Sequence, residues 1–392
     1  MSDPTVSIVR CTSYEPEPTE AAVREALEAV PETNSLLQPG ARVLLKPNLL
    51  SARDRPESAV NTHPAVIRAL ALYCRQKGCE VAIGDSCGSL SSGSTKRALK
   101  VAQVPQIAEE VGAEVLDFDR QERIEVEVAH GEVLHTVTLA QPVVEADVLI
   151  GLPKMKTHGL TTLTGAVKNQ FGCMPGRLKK DTHLEAPNPD TMSRALVDVY
   201  SAARPDLVVM DGIQAMEGHG PVAGQVRDVG LLLAADDAVA MDAVFAHLVG
   251  RKPEDVATTL YAAERGLGIA ALASIQTVGV PLGDARMADF DVPGGLIQSH
   301  LLKIIPDSVV RWMFNQWGAT RPAIMDDECI LCGQCVANCP AGALKEKDGH
   351  IEVNPERCIG CYCCTEVCDQ RAITMKRSLL GRLFGGGEEK NE

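Results

Sequence analysis

The sequence predicts an α/β protein, with a mainly parallel sheet and covering helices, followed by a small cysteine-rich α+β domain. Three observations carry this expectation. Over roughly the first 280 residues, short aliphatic runs alternate with helical patterns, the order that builds a parallel sheet. Apolar content is 45% while aromatic content is only 3%, which suits strands buried on both faces. Near the C-terminus, eight of the fourteen cysteines form two runs of equal spacing.

Taken in order, Val6 to Cys11 reads as a strand. A helix is expected over Thr19 to Val30, with Thr19 as its cap. Pro39-Gly40 makes a turn before the buried strand Val43 to Leu45, which stops at Lys46-Pro47-Asn48. Thr62 is expected to cap a helix from Pro64 to Lys77, ended by Gly78. Val81 to Ile83 is a strand stopping at Gly84-Asp85-Ser86. Further strands are expected near Glu125 to Val128 and Val137 to Leu139. Ala146 to Ile150 leads into Gly151-Leu152-Pro153-Lys154. A helix fits Met192 to Ala203, and the strand Leu207 to Met210 is expected to end at Asp211-Gly212. Val229 to Leu233 is a strand, and a helix follows over Val239 to Leu248. Polar or glycine-rich tips follow the apolar runs, and open α/β sheets bind ligands outside the carboxyl ends of their strands.

The expected organisation is an α/β domain over 1–288, a helical linker over 289–322 with Trp312 and Trp317, a cysteine domain over 323–376 and a disordered tail over 377–392. A formal net charge of −14 argues against nucleic acid as a partner. The N-terminus lacks the basic start and apolar run of a signal peptide, and no apolar stretch is long enough for a transmembrane segment. The cysteine usage suits a reducing compartment, so a cytoplasmic location is expected. Gly266 to Ala271 resembles a dinucleotide fingerprint but follows a helix rather than a strand, and no P-loop motif is present.

Cys329, Cys332, Cys335 and Cys339 read C-x2-C-x2-C-x3-C, and Pro340 follows. Cys358, Cys361, Cys364 and Cys368 repeat the spacing. Zinc needs no third C-x2-C step, and disulfides do not explain a repeated register. Residues 326–376 resemble bacterial-type two-cluster 4Fe-4S ferredoxins. The resemblance implies two 4Fe-4S clusters, with the fourth cysteine of each run serving the other cluster. Cluster one would then take Cys329, Cys332, Cys335 and Cys368, and cluster two Cys358, Cys361, Cys364 and Cys339. Two departures stand out: Asp369 occupies a usual proline position, where an ionised acid would lower the potential of cluster one, and Cys363 adds a thiol inside the second run.

Residues 153–183 carry Lys154, Lys156, Lys168, Arg177, Lys179 and Lys180 against one acid, Asp181, together with His158 and His183. Glycines interleave with these groups, so the segment is read as an anion site rather than a solvated loop. Together with KPN (46–48), NTHP (61–64), GDS (84–86) and DGIQAMEGHGP (211–221), it resembles domain-of-unknown-function family 362 over residues 6–280. The resemblance implies an architecture and a motif set but no reaction. It marks Lys46, Asn48, Lys154, Lys156, Lys168 and Asn169 as candidates for holding an anionic ligand. His158, His63, Asp85, Asp211 and Glu217 are candidates for proton transfer. Cys87 and Cys173, with His158, are a further metal option.

The expectation is an iron–sulfur oxidoreductase passing electrons from two 4Fe-4S clusters to an anionic small molecule or cofactor. Its electrons would come from a redox partner protein or a small-molecule donor, and a further anionic organic cofactor is left open. The alternative is a non-catalytic electron-transfer or cofactor-delivery module acting with a partner protein.

Overall fold

The computed structural model describes residues 3–88, 93–293, 321–368 and 370–376. Most of the expected linker with both tryptophans, Asp369 and the tail lie outside these residues. The α/β part contains β1 (Thr5–Arg10), β2 (Arg42–Pro47), β3 (Glu80–Asp85) and β4 (Glu114–Asp117). It continues with β5 (Arg123–Glu127), β6 (Thr136–Ala140), β7 (Val148–Leu152), β8 (Lys154–His158) and β9 (Thr162–Thr164). Three more strands complete it: β10 (Leu207–Glu217), β11 (Gln225–Ala235) and β12 (Gln276–Gly279).

The main sheet runs β12-β1-β11-β10-β7-β2-β3-β4, with β8 branching from β10 and carrying β9. The pairs β1–β11, β10–β11 and β8–β9 are antiparallel, and the others are parallel. Strand period sorts the two faces. Val43, Leu45 and Ile83 pack with Val23, Leu27, Ile67 and Leu70 of the helices Pro16–Glu28 and Pro64–Gln76. On the opposite face, Val6, Ile8, Val208 and Met210 pack with Val197, Val244 and Phe245 of the helices Pro189–Ala202 and Ala238–Leu248. Phe290 and Val292 join this second core.

Several sequence expectations are corrected. The helix from Pro64 is capped by His63, whose Nδ1 accepts the Ala65 N–H at 3.1 Å, while the Thr62 hydroxyl donates to the Leu152 carbonyl. The first helix begins at Pro16, and Thr19 turns its hydroxyl to the Glu15 carbonyl. The strands expected near 125 and 137 form a hairpin of their own, β5–β6, outside the main sheet. The strand at 207 does not stop at Asp211-Gly212 but continues to Glu217 through an irregularity between Gly212 and Gln214. It can do so because the buried Asp211 carboxylate meets Lys154 on the neighbouring strand.

The C-terminal part holds β13 (Arg321–Ile324), β14 (Leu344–Lys347), β15 (His350–Val353) and β16 (Ile373–Lys376). They pair as the antiparallel ribbons β13–β16 and β14–β15. Short helices at Gln334–Asn338 and Cys363–Glu366 follow the two cysteine loops. Among the described residues, no helix is long and apolar enough to cross a membrane.

Candidate functional site

The cysteines of the small domain gather into two sets. Cys329, Cys332, Cys335 and Cys368 line one concavity, and Cys339, Cys358, Cys361 and Cys364 line another. All eight are free thiols. Each concavity thus takes three thiols from one run and the fourth from the other, a donor set that fits one 4Fe-4S cluster. Cys363 belongs to neither set and faces the larger cleft described next. The chain therefore carries sites for two 4Fe-4S clusters. The two loops repeat their backbone: Leu331 and Gly333 in the first, and Gly360 and Tyr362 in the second, have positive φ. Tyrosine rarely occupies this conformation, where the first loop has glycine. The reason lies across the domain boundary, where the Tyr362 ring packs against Gly159, at a spot with no room for a Cβ.

The larger cleft, about 880 Å³ including its open mouth, lies between the two domains. One wall comes from strand tips. Lys46 lies near the end of β2 and Asn48 follows it, Asp85 ends β3 and Ser86 follows it, and His158 ends β8. The segment after β9 adds Lys168, Asn169, Lys179, Lys180 and His183. The opposite wall is the cysteine domain, through Asn338, Pro340, Cys363, Glu366 and Val367. Arg371 also reaches Asp54 at 3.7 Å across the boundary.

Most of the charge in this cleft is paired. Lys46 lies 2.7 Å from Asp85, with side-chain exposures of 1% and 3%. Lys46 also donates to the Pro47 carbonyl and to Asn169 Oδ1. Burial pushes the Asp85 carboxyl up, and the Lys46 and Lys179 charges oppose that push. Lys179 donates to the Ser86 and Cys87 carbonyls at 2.5 and 2.9 Å. His158 Nδ1 accepts the Leu160 N–H at 3.0 Å, so the neutral ring carries its proton on Nε2. That Nε2 lies 3.3 Å from Glu366 Oε1, an approach without the alignment of a hydrogen bond. Burial, then the Lys168 charge, lowers His158 to about 4. Burial pushes the Glu366 carboxyl up, but His158 and Lys168 outweigh it and hold it at about 2.

The other residues singled out by sequence lie elsewhere. Lys154, Asp211 and His63 do not line the cleft. Lys154 Nζ donates to Asp211 Oδ2 and to the Tyr14 hydroxyl, both at 2.8 Å. Asp211 also accepts the Tyr14 hydroxyl and the His63 N–H, and the His63 ring stacks on Tyr14 at 3.6 Å. This closed network braces β8 against β10. Lys156 Nζ donates to the Val60 carbonyl at 2.7 Å, and burial lowers its ammonium to about 7. Glu217 pairs with Arg227 at 3.0 Å and accepts the Asp291 N–H. Among the described residues, Cys87, Cys173 and His158 do not form a group able to hold a single metal ion. Sequence reasoning assigned no cleft role to Thr164, Cys363 or Glu366. Thr164 sits inside the 153–183 stretch singled out by sequence, a usable signal, whereas nothing local marks the other two.

Residues 43–247 match the family described as Domain of unknown function (DUF362), and residues 321–369 match the 4Fe-4S dicluster domain. A thylakoid-associated protein of Synechocystis sp. is 34% identical over 272 residues, which cover 68% of this chain and 80% of that protein. A pyruvate synthase subunit, PorD, of Methanocaldococcus jannaschii is 30% identical over 73 residues, 18% of this chain and 85% of that one. Among solved structures, the lactate racemase apoprotein of Thermoanaerobacterium thermosaccharolyticum aligns with a TM-score of 0.36 at 14% identity. That alignment covers 55% of this chain and 51% of the other. The chain belongs to the DUF362 family and joins its α/β domain to a 4Fe-4S dicluster domain.

Proposed function

We propose that the chain is an iron–sulfur oxidoreductase whose interdomain cleft holds an anionic small molecule or cofactor where electrons reach it. One observation carries this reading. The cleft has lysines on one wall and, on the other, Cys363 and Glu366, which flank the second-cluster cysteine Cys364. When bound, the clusters supply single electrons. The chain's own residues do the rest. Lys168 and Lys180, with the amide of Asn169, hold negative charge and stabilise more as it develops. His158 presents its Nε2–H to the cleft as a proton donor. The α/β wall and the docked helix Cys363–Glu366 keep water from part of the site.

The other end of the electron path is open to a partner. Cys332 and Ile330 of the first run are exposed, as are Met325, Asp326, Asp327 and Glu328. We read this acidic, partly apolar face as the place where a redox protein or small donor delivers electrons. We place the protein in the cytoplasm, since its thiols need a reducing compartment.

The test is mass spectrometry of small molecules released from anaerobically purified protein, followed by adding each back to dithionite-reduced protein. A released anion that restores the oxidised visible spectrum supports the reading. Release of no molecule able to reoxidise the protein favours the relay alternative, in which the α/β domain only docks or carries a ligand.

A further inference from the structure

We propose that His158, Thr164 and Lys168 form a preassembled seat for one end of a small organic dianion, an inference that rests on the cleft being the ligand site. The first argument is unspent hydrogen bonding. The buried lysines Lys46, Lys154, Lys156 and Lys179 each hold a carboxylate or carbonyl oxygen within 2.9 Å. Lys168 lines the cleft with no hydrogen bond or ion pair among the described residues. Thr164 also lines it, is 2% exposed, and its hydroxyl has no partner among the described residues. His158 Nε2 likewise makes no aligned hydrogen bond. Buried polar groups are normally satisfied, and leaving one unpaired costs folding free energy. Three donors left over in one cleft point to an acceptor that the chain does not itself provide.

Charge gives the class. Among the described residues the cleft is lined by Lys46, Lys168, Lys179 and Lys180 against Asp85 and Glu366, a surplus of two basic side chains. A ligand of charge −2 neutralises that surplus, whereas a neutral or cationic ligand leaves it buried. The cleft has an open mouth, so an organic body can extend from the oxyanion toward solvent. The ligand is therefore a small molecule bearing a phosphate ester or two carboxylates, with one oxyanion on the three donors. The His158 tautomer fits, because Nδ1 is occupied by the Leu160 N–H and only Nε2 can donate.

The experiment is isothermal titration of the anaerobic, oxidised, full-length protein at fixed ionic strength with inorganic phosphate, succinate and acetate. At least one dianion should bind about tenfold tighter than acetate; phosphate in that place assigns a phosphate end, and succinate a dicarboxylate. Lys168→Gln should weaken that dianion about tenfold, since it removes a charge-assisted bond. Thr164→Val, which keeps the shape and removes only the hydroxyl, should weaken it about threefold with an unchanged melting temperature. Lys100→Gln, on an exposed helix position, should change nothing. The seat is overturned if neither dianion outbinds acetate, or if a folded Thr164→Val and Lys168→Gln both keep wild-type affinity. The titration needs no electron transfer. A ligand that binds through Lys168 yet never reoxidises reduced protein removes the redox reading and leaves the seat. A ligand that reoxidises it but ignores Lys168 does the reverse.

Discussion

Replacing Gly159 by alanine should loosen the cysteine domain from the cleft. A Cβ at this position would lie 2.8 Å from Cζ and 2.9 Å from Cδ1 of Tyr362, with Cε1 closer still. Ordinary carbon contacts are about 3.5–4.0 Å, so the ring must retreat by roughly 1 Å. It has little freedom to do so, because Tyr362 has φ of 67° and stands between Cys361 and Cys364, both in the second-cluster set. Gly159 has no positive φ of its own, so the clash, rather than backbone strain, sets the cost. Overpacking of this kind costs about 1–3 kcal/mol, and if docking bears it the docking equilibrium shifts about 5- to 150-fold. Hydrogen–deuterium exchange on the clustered protein reads this directly. Amides of 158–164 and 362–367 should exchange faster, while β2 and β10 keep their protection. Adding Tyr362→Ala should reverse part of the effect. Unchanged exchange at both segments would refute the packing argument, and faster exchange across the whole sheet would show that Gly159 serves the fold instead.

Asp85→Asn should destabilise the α/β domain by about 3–5 kcal/mol, because it leaves the buried Lys46 ammonium without its anion; Lys46→Met combined with Asp85→Leu should recover most of the loss in chemical denaturation, and a mild single variant would contradict the pairing. Stability should rise with pH above neutrality. Lys156 is lowered to about 7 when folded and returns to its ordinary value when unfolded, so the unfolded chain binds more protons in between. Between pH 7.5 and 9.5 this amounts to about 2–3 kcal/mol, which Lys156→Met should remove from the pH slope of the denaturation midpoint. Cys361→Ser should cut iron and acid-labile sulfide to about half, whereas Cys363→Ser should leave both unchanged. Equal losses would mean the thiol facing the cleft is a ligand after all.

The parts of this protein that were legible in sequence are those fixed by local chemistry. The cysteine runs specify their own loops, and their spacing marks them as a cluster-binding domain. The aliphatic strands and their polar tips located Lys46, Asn48 and Asp85 at one end of a sheet. Lys154 to His158 misled for a physical reason. A stretch of lysine, threonine and histidine reads as a polar tip, yet it is a fully buried strand. The charges of Lys154 and Lys156 are tolerated only because Asp211, Tyr14 and the Val60 carbonyl receive them, and those partners lie 57 to 140 residues away in the chain. Glu366 and Cys363 were hidden for the complementary reason. Within the second cysteine run they look like spacers, and only domain docking turns them toward lysines almost 200 residues earlier. Tyr362 could have been suspected, since it replaces the glycine of the first loop.

The central claim is that an anion in this cleft lies beside the second cluster's cysteines. Pulsed electron paramagnetic resonance of the reduced protein, saturated with a phosphate ligand found by titration, tests it most directly. Phosphorus hyperfine coupling to one of the two reduced clusters, lost in Lys168→Gln, is the expected result. If only a dicarboxylate binds, carbon-labelled ligand takes its place in the same measurement. Saturating ligand with no coupling to either cluster would contradict the account.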